Sequence, residues 1–246
     1  MPGDRGDGAG QPLRDLVGRF RSVITAAIVF LGLTIAAMLL YPGGRVGDPQ
    51  SIGYSFFTNF FSDLGQTHTH SGATNTVSLV LFCIGLVAVA YTIVVFFFAF
   101  SDLFPTGTIS SRIARAAAWC SIVTAISFLG VAATPWNHFL AAHNEFVLWA
   151  FRSLLASILA CLVASLLERT IPRRFALVYG IFAFVLAAYI GLITFGPTPG
   201  TAAGAAIQAT GQKIIVYASV LTILAQATIA RASLASRMRS SSDRIR

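Results

Sequence analysis

Six stretches of this chain are almost unbroken in apolar side chains, at residues 23–41, 77–100, 116–134, 146–167, 175–196 and 207–230. A run of roughly 20 such residues, wound as a helix, crosses the ~30 Å hydrocarbon core of a bilayer. All nine prolines, at positions 2, 12, 42, 49, 105, 135, 172, 197 and 199, fall outside these runs. Proline interrupts helical hydrogen bonding, so its placement predicts six continuous helices. The expected architecture is an all-α membrane protein, a six-transmembrane-helix bundle in a single membrane domain covering residues 1–246. The last run is least defined at its start, where residues 201–211 are rich in Gly, Ala and Thr and read as a flexible loop.

The flanks follow a different pattern. Residues 1–12 are rich in Gly and Asp and predict a disordered tail, as does the Ser/Arg-rich basic end over residues 233–246. Between the first tail and the first span, Leu13, Leu16, Val17 and Phe20 recur at helical spacing opposite Arg14, Asp15 and Arg19. Residues 13–22 therefore read either as a short interfacial helix or as a solvated basic flank. The first apolar run also exceeds the roughly 7–15-residue core of a secretory signal, which favours a retained anchor.

Composition supports lipid as the solvent. Hydrophobic residues make up 56% and charged residues 11%, against roughly 25% charged in an ordinary soluble domain. The formal charge of +8 does not form a nucleic-acid patch. All but three of the 17 Lys and Arg residues lie in the two tails and in the connections after the second and fourth spans. By the positive-inside rule both termini are cytoplasmic. The exceptions are Arg45 and Lys213 on the opposite side and Arg152 within the fourth span. Cys83, Cys120 and Cys161 all sit in spans, where an odd number of buried thiols reads as small apolar filling.

With that topology, the candidate chemistry gathers on the outer face. His68, His70, His138, His143, Asp48, Asp63 and Glu145 are all extracytoplasmic. The first outer loop, about 35 residues long, contains SIGYSFFTNFFSDLG over residues 51–65. If that segment is helical, Phe56, Phe57, Phe60, Phe61 and Leu64 share one face, and Ser55, Asn59, Ser62 and Asp63 share the other. It would then lie in the interface with its rings in lipid. An aromatic belt beside a capped loop is the simpler alternative. The second outer loop is read as residues 134–145. Arg152 is costly in an apolar helix unless it pairs or snorkels; its candidate partners are Asp63, Glu145 and a lipid phosphate. His68, His70, His138 and His143 are weak candidates for a Zn²⁺ site, because no H-x-x-x-H or H-E-x-x-H spacing occurs; no cofactor is expected.

The segment Asn59, Ser62, Asp63, Leu64, Gly65, followed by a proline-to-histidine stretch entering the fourth span, resembles a bacterial six-helix integral membrane family of unknown function. That family looks distantly related to DRAM-type and GPI-lipid-remodelling membrane proteins. The resemblance implies a six-helix fold in a bacterial plasma membrane, with Ser62, Asp63 and His143 as the positions that matter most. It implies no reaction.

Three readings of function remain. The first is a non-enzymatic protein that binds or organises membrane lipids or supports a membrane-protein partner, with ligand or headgroup contacts at Asn59, Asp63, His143, Glu145 and Arg152. The second is a lipid hydrolase or remodelling enzyme, metal-dependent or not, using Ser62, Asp63 and His143. The third, a small-solute transporter, is weakened by the scarcity of charge in the spans.

Overall fold

The computed structural model describes residues 11–243. Six helices are long and apolar enough to span a membrane. They are α1 (Gln11–Leu39), α2 (Thr76–Ser101), α3 (Ile109–Ala133), α4 (Trp136–Leu167), α5 (Arg173–Phe195) and α6 (Ala202–Asp243). The connection from α1 to α2 holds a two-stranded antiparallel hairpin, β1 (Gly43–Arg45) and β2 (Asp48–Ile52), and a 3-10 turn at Phe61–Gly65. The expected all-α six-helix bundle is the observed one, with this small sheet added at one end.

Each helix packs against its neighbours in sequence, and α6 closes onto α1, so the six form a ring. Inside it lie Phe20, Phe30, Phe96, Phe97, Phe100, Phe175 and Tyr179, all buried. Outside it lie Ile28, Ile35, Val80, Ile84, Val87, Ile126, Val163, Ile181 and Phe184, all exposed. Large apolar side chains on the outer surface are what a lipid solvent permits, since the helices satisfy their own backbone groups.

The tightest seam is α3 against α4, where buried small residues let the backbones approach. Ser157 donates to the Ala117 carbonyl at 3.1 Å, and the Thr124 and Ser153 hydroxyls meet at 2.8 Å. At the arginine-rich end, Asp102 accepts from Arg19 at 2.6 Å and from Arg115 at 2.5 Å, tying α1 to the α2–α3 connection. Nearby, hydrogen bonds from the Thr170 amide and hydroxyl and from Ser110 hold the Glu168 carboxyl below the usual carboxylate range.

Four local expectations are corrected. Residues 13–22 are no separate interfacial helix: α1 is continuous, and Leu16 and Phe20 enter the main core. Most of the disordered tail expected at 1–12 lies outside the described residues, but Gln11 and Pro12 already belong to α1. The end from Ser233 continues α6 to Asp243, in a stretch without Gly or Pro to stop it. Residues 202–211 are helical, because glycines there serve close packing. A Cβ on Gly211 would stand 2.3 Å from Leu192 Cδ2, and Gln208 donates to the Leu192 and Pro197 carbonyls at the end of α5.

Candidate functional site

Residues 40–75 fold into a cap over one end of the ring. Gly43, Gly44 and Gly47 have positive φ, which lets the chain reverse immediately after α1. Asn59 then organises the segment: its Oδ1 accepts from the Ser55 amide, and its Nδ2 donates to the Gly44 carbonyl and to Asp63 Oδ2, each at 2.9 Å. Asp63, fully buried, also accepts the Phe60 amide on Oδ2 at 2.9 Å, and His70 Nε2 lies 3.7 Å from its Oδ1. A buried carboxylate needs this density of donors.

A cation accompanies it. Lys213, in α6 and 1% exposed, donates to the Asn59 carbonyl and to the Ala209 carbonyl. Its ammonium lies 5.3 Å from the Tyr54 ring centre and 5.5 Å from that of Phe56. Asn59 thus stands between cation and carboxylate. Burial and the Asp63 charge push the Tyr41 and Tyr54 hydroxyls up, so both remain donors, to the Gly44 carbonyl and the Phe60 carbonyl respectively.

The cap is stitched to α4. Gln66, with its amide oriented to accept from the Trp136 indole at 3.1 Å, donates to the His68 carbonyl at 3.3 Å. Thr67 Oγ1 meets His138 Nε2 at 2.7 Å and Asn137 Nδ2 at 2.8 Å. Asn75 Nδ2 reaches the Leu64 and Gln66 carbonyls, closing the cap onto α2.

Below the cap, an elongated cavity of about 80 Å³ runs along the ring, lined by residues of all six helices. Its walls are almost wholly apolar and carry no charged side chain. Lining residues on α2 run from Phe82 to Phe97, a span of about 22 Å by helical rise. At the cap end the lining includes Ser62, His143 and Gln212. His143 is buried; its Nδ1 lies 2.7 Å from the Thr134 carbonyl, and its Nε2 has no hydrogen-bond partner among the described residues. A carbonyl only accepts, so the proton sits on Nδ1 and Nε2 is an acceptor in the neutral ring.

The expected site residues therefore divide. Asn59 and Asp63 belong to the cap core, with His70 beside them. Ser62 and His143 line the cavity; Asp63 does not. Successive residues of a 3-10 turn point about a third of a turn apart, which separates Ser62 from Asp63. His68 is exposed, and His138 serves the cap seam. Glu145 and Arg152 are exposed on α4.

Three corrections follow for the site. Residues 51–65 are not one interfacial helix: of the five residues of the apolar face, Phe61 and Leu64 point into the bundle and only Phe56 and Phe57 are exposed, because burial of Asn59 and Asp63 dictates the turn. Residues 134–145 are not a loop: α4 starts at Trp136, with a kink at Phe139. Among the described residues, Arg152 forms no ion pair with Asp63 or Glu145; it lies on the lipid side, one turn from the exposed Trp149. No three His, Cys, Asp or Glu side chains among the described residues converge as metal ligands. Arg152→Leu is accordingly expected to change unfolding stability by less than about 0.5 kcal/mol, as for an unpaired surface site, and to add to any Asp63 substitution without coupling. A double-mutant cycle read by unfolding in mixed micelles checks this; coupling above that level would restore the pair.

Lys213 and Gln212 are the members that inspection of the sequence passes over. The available signal was a lone lysine, beside a glutamine, in an otherwise apolar span. Comparison with protein-family models, with curated proteins and with solved structures finds no match to this chain.

Proposed function

We propose that this six-helix membrane protein binds a membrane lipid by drawing one hydrocarbon chain into the ring of helices. The carrying observation is the apolar, uncharged cavity lined by all six helices beneath the cap. Its lining reaches about 22 Å along α2, against the ~15 Å that one leaflet's chains occupy in a ~30 Å core, and the helices must part to widen the void of about 80 Å³ around a chain. The cap, braced by Asn59, Asp63 and Lys213, holds the polar end of the cavity in shape. From the arginine distribution, the cap faces the outer side and both termini are cytoplasmic; from the resemblance of residues 59–65, the membrane is a bacterial plasma membrane.

A hydrolase built on Ser62, Asp63 and His143 has less support. Nucleophilic catalysis needs the hydroxyl, base and orienting acid in a hydrogen-bonded line. Among the described residues the Nε2 of His143 has no hydrogen-bond partner, and Asp63 is committed to Asn59 and the Phe60 amide.

Filling the cavity from two sides tests the proposal. Val147 on α4 and Val216 on α6 both line it and are half-buried. Protein extracted in mild detergent is expected to carry bound lipid by native mass spectrometry, and Val147→Phe with Val216→Phe to remove it. Bound lipid that persists in the folded double variant, or is missing from the unaltered protein, refutes lipid capture in the cavity.

A further inference from the structure

Resting on that reading, we infer that the cavity selects an uncharged single-chain lipid whose head is a hydroxyl: a lipid alcohol. The polar groups at the cap end define the head. His143 offers a lone pair on Nε2, because its Nδ1 is engaged with the Thr134 carbonyl at 2.7 Å. Gln212 accepts the Phe61 amide on Oε1 at 2.7 Å, which leaves its Nε2 as a donor. Ser62 adds a hydroxyl of either sense. One acceptor beside one donor complements a hydroxyl, which donates to His143 and accepts from Gln212.

Charge narrows the class further. A carboxylate or phosphate head would find no counter-ion in the lining, since Lys213 is turned to the Asn59 and Ala209 carbonyls. An ammonium head would find no acid, since Asp63 is outside the lining. An ion without a partner between apolar walls is costly, and a hydroxyl is not.

A second polar group of the lining without a hydrogen-bond partner among the described residues, the Thr92 hydroxyl, lies deeper in the cavity. A helical threonine can rotate to bond the carbonyl four residues back, so it does not require a ligand group. The imidazole, held by its Nδ1 bond, has no such recourse. A buried acceptor with no partner is destabilising until something donates to it.

The full chain, delipidated in micelles, is titrated with radiolabelled hexadecanol, hexadecanoate and hexadecane. The expected result is hexadecanol binding about ten-fold more tightly than either competitor. His143→Phe should abolish that preference while leaving hexadecane binding intact. Should that variant fail to fold, Ser62→Ala, at a half-buried position, should reduce the preference about three-fold. Equal or tighter binding of hexadecanoate, or a preference unchanged in the folded variants, overturns the hydroxyl assignment and leaves chain capture standing. If no probe binds, chain capture fails and this inference fails with it.

Discussion

Asp63→Ala is expected to destabilise the protein by about 3–5 kcal/mol, the cost of removing one partner from a buried charged cluster. The carboxylate is fully buried and takes two donors on Oδ2, the Asn59 amide and the Phe60 backbone. Deleting it orphans both donors and leaves Lys213, also buried, without the charge it faces. Asparagine keeps an acceptor for both donors, with its oxygen in the place of Oδ2, but removes the charge that Lys213 faces. SDS-induced unfolding from mixed micelles, followed by tryptophan fluorescence, measures the loss.

The partner variant, Lys213→Met, separates charge balance from simple packing. Methionine keeps most of the unbranched stem against Tyr54 and Phe56 and removes the ammonium. If Asp63 and Lys213 compensate each other through Asn59, Asp63→Ala with Lys213→Met costs less than the sum of the two. Coupling of about 0.5–3 kcal/mol is the range for residues in one network. Strict additivity would mean that each group is held separately by its own hydrogen bonds.

The contrast between Lys213 and Arg152 shows what the sequence could and could not disclose. Both are lone cations in apolar runs, and hydropathy scores them alike. Which face of the helix meets the ring interior is set by packing among all six helices, and that is not local information. Lys213 falls inward beneath the cap; Arg152 falls on the lipid side. The spans themselves are legible because a bilayer imposes length and no proline interrupts the apolar runs, whereas their closure into a ring, with α6 against α1, has no signature in any single run.

The cap departs from its sequence pattern for a related reason. Phe56, Phe57, Phe60, Phe61 and Leu64 carry a helical period, but a helix would place Asn59 and Asp63 on one stripe opposite the rings. Their hydrogen bonds to Gly44, Ser55 and Phe60 demand an irregular path, and buried polar satisfaction overrides periodicity. The start of α4 reads as a loop by hydropathy, because Asn137, His138, His143 and Glu145 make its first turns polar and hydropathy does not distinguish a polar helix from a loop. His143 and Ser62 did emerge from the resemblance, and both line the cavity. Gln212, which shares that end, has no motif to mark it.

Gly44→Ala should cost about 2–5 kcal/mol, combining left-handed strain with a backbone collision. Gly44 has φ +86°, and a Cβ there would stand 2.4 Å from the Ser71 amide nitrogen and 3.0 Å from the His70 carbonyl carbon. Backbone cannot swing aside as a side-chain tip can, so the hairpin must lift from the His68–Thr74 turn. That turn is itself held by the Thr69 amide on the Ala73 carbonyl at 2.9 Å, and by the Gly72 amide on the Thr69 carbonyl at 2.9 Å. Lifting the hairpin also withdraws the Gly44 carbonyl from Asn59 and Tyr41, loosening the support of Asp63. Gly47→Ala is the internal control: φ is +79°, but nothing lies within 4 Å of the added Cβ, so only strain of about 1–2 kcal/mol applies. The two variants are compared by SDS unfolding and by protease cleavage within residues 40–75. Equal destabilisation would mean that the hairpin's seat on the cap carries no weight. A larger loss for Gly44→Ala, with faster cleavage, would establish that close approach as the anchor of the cap.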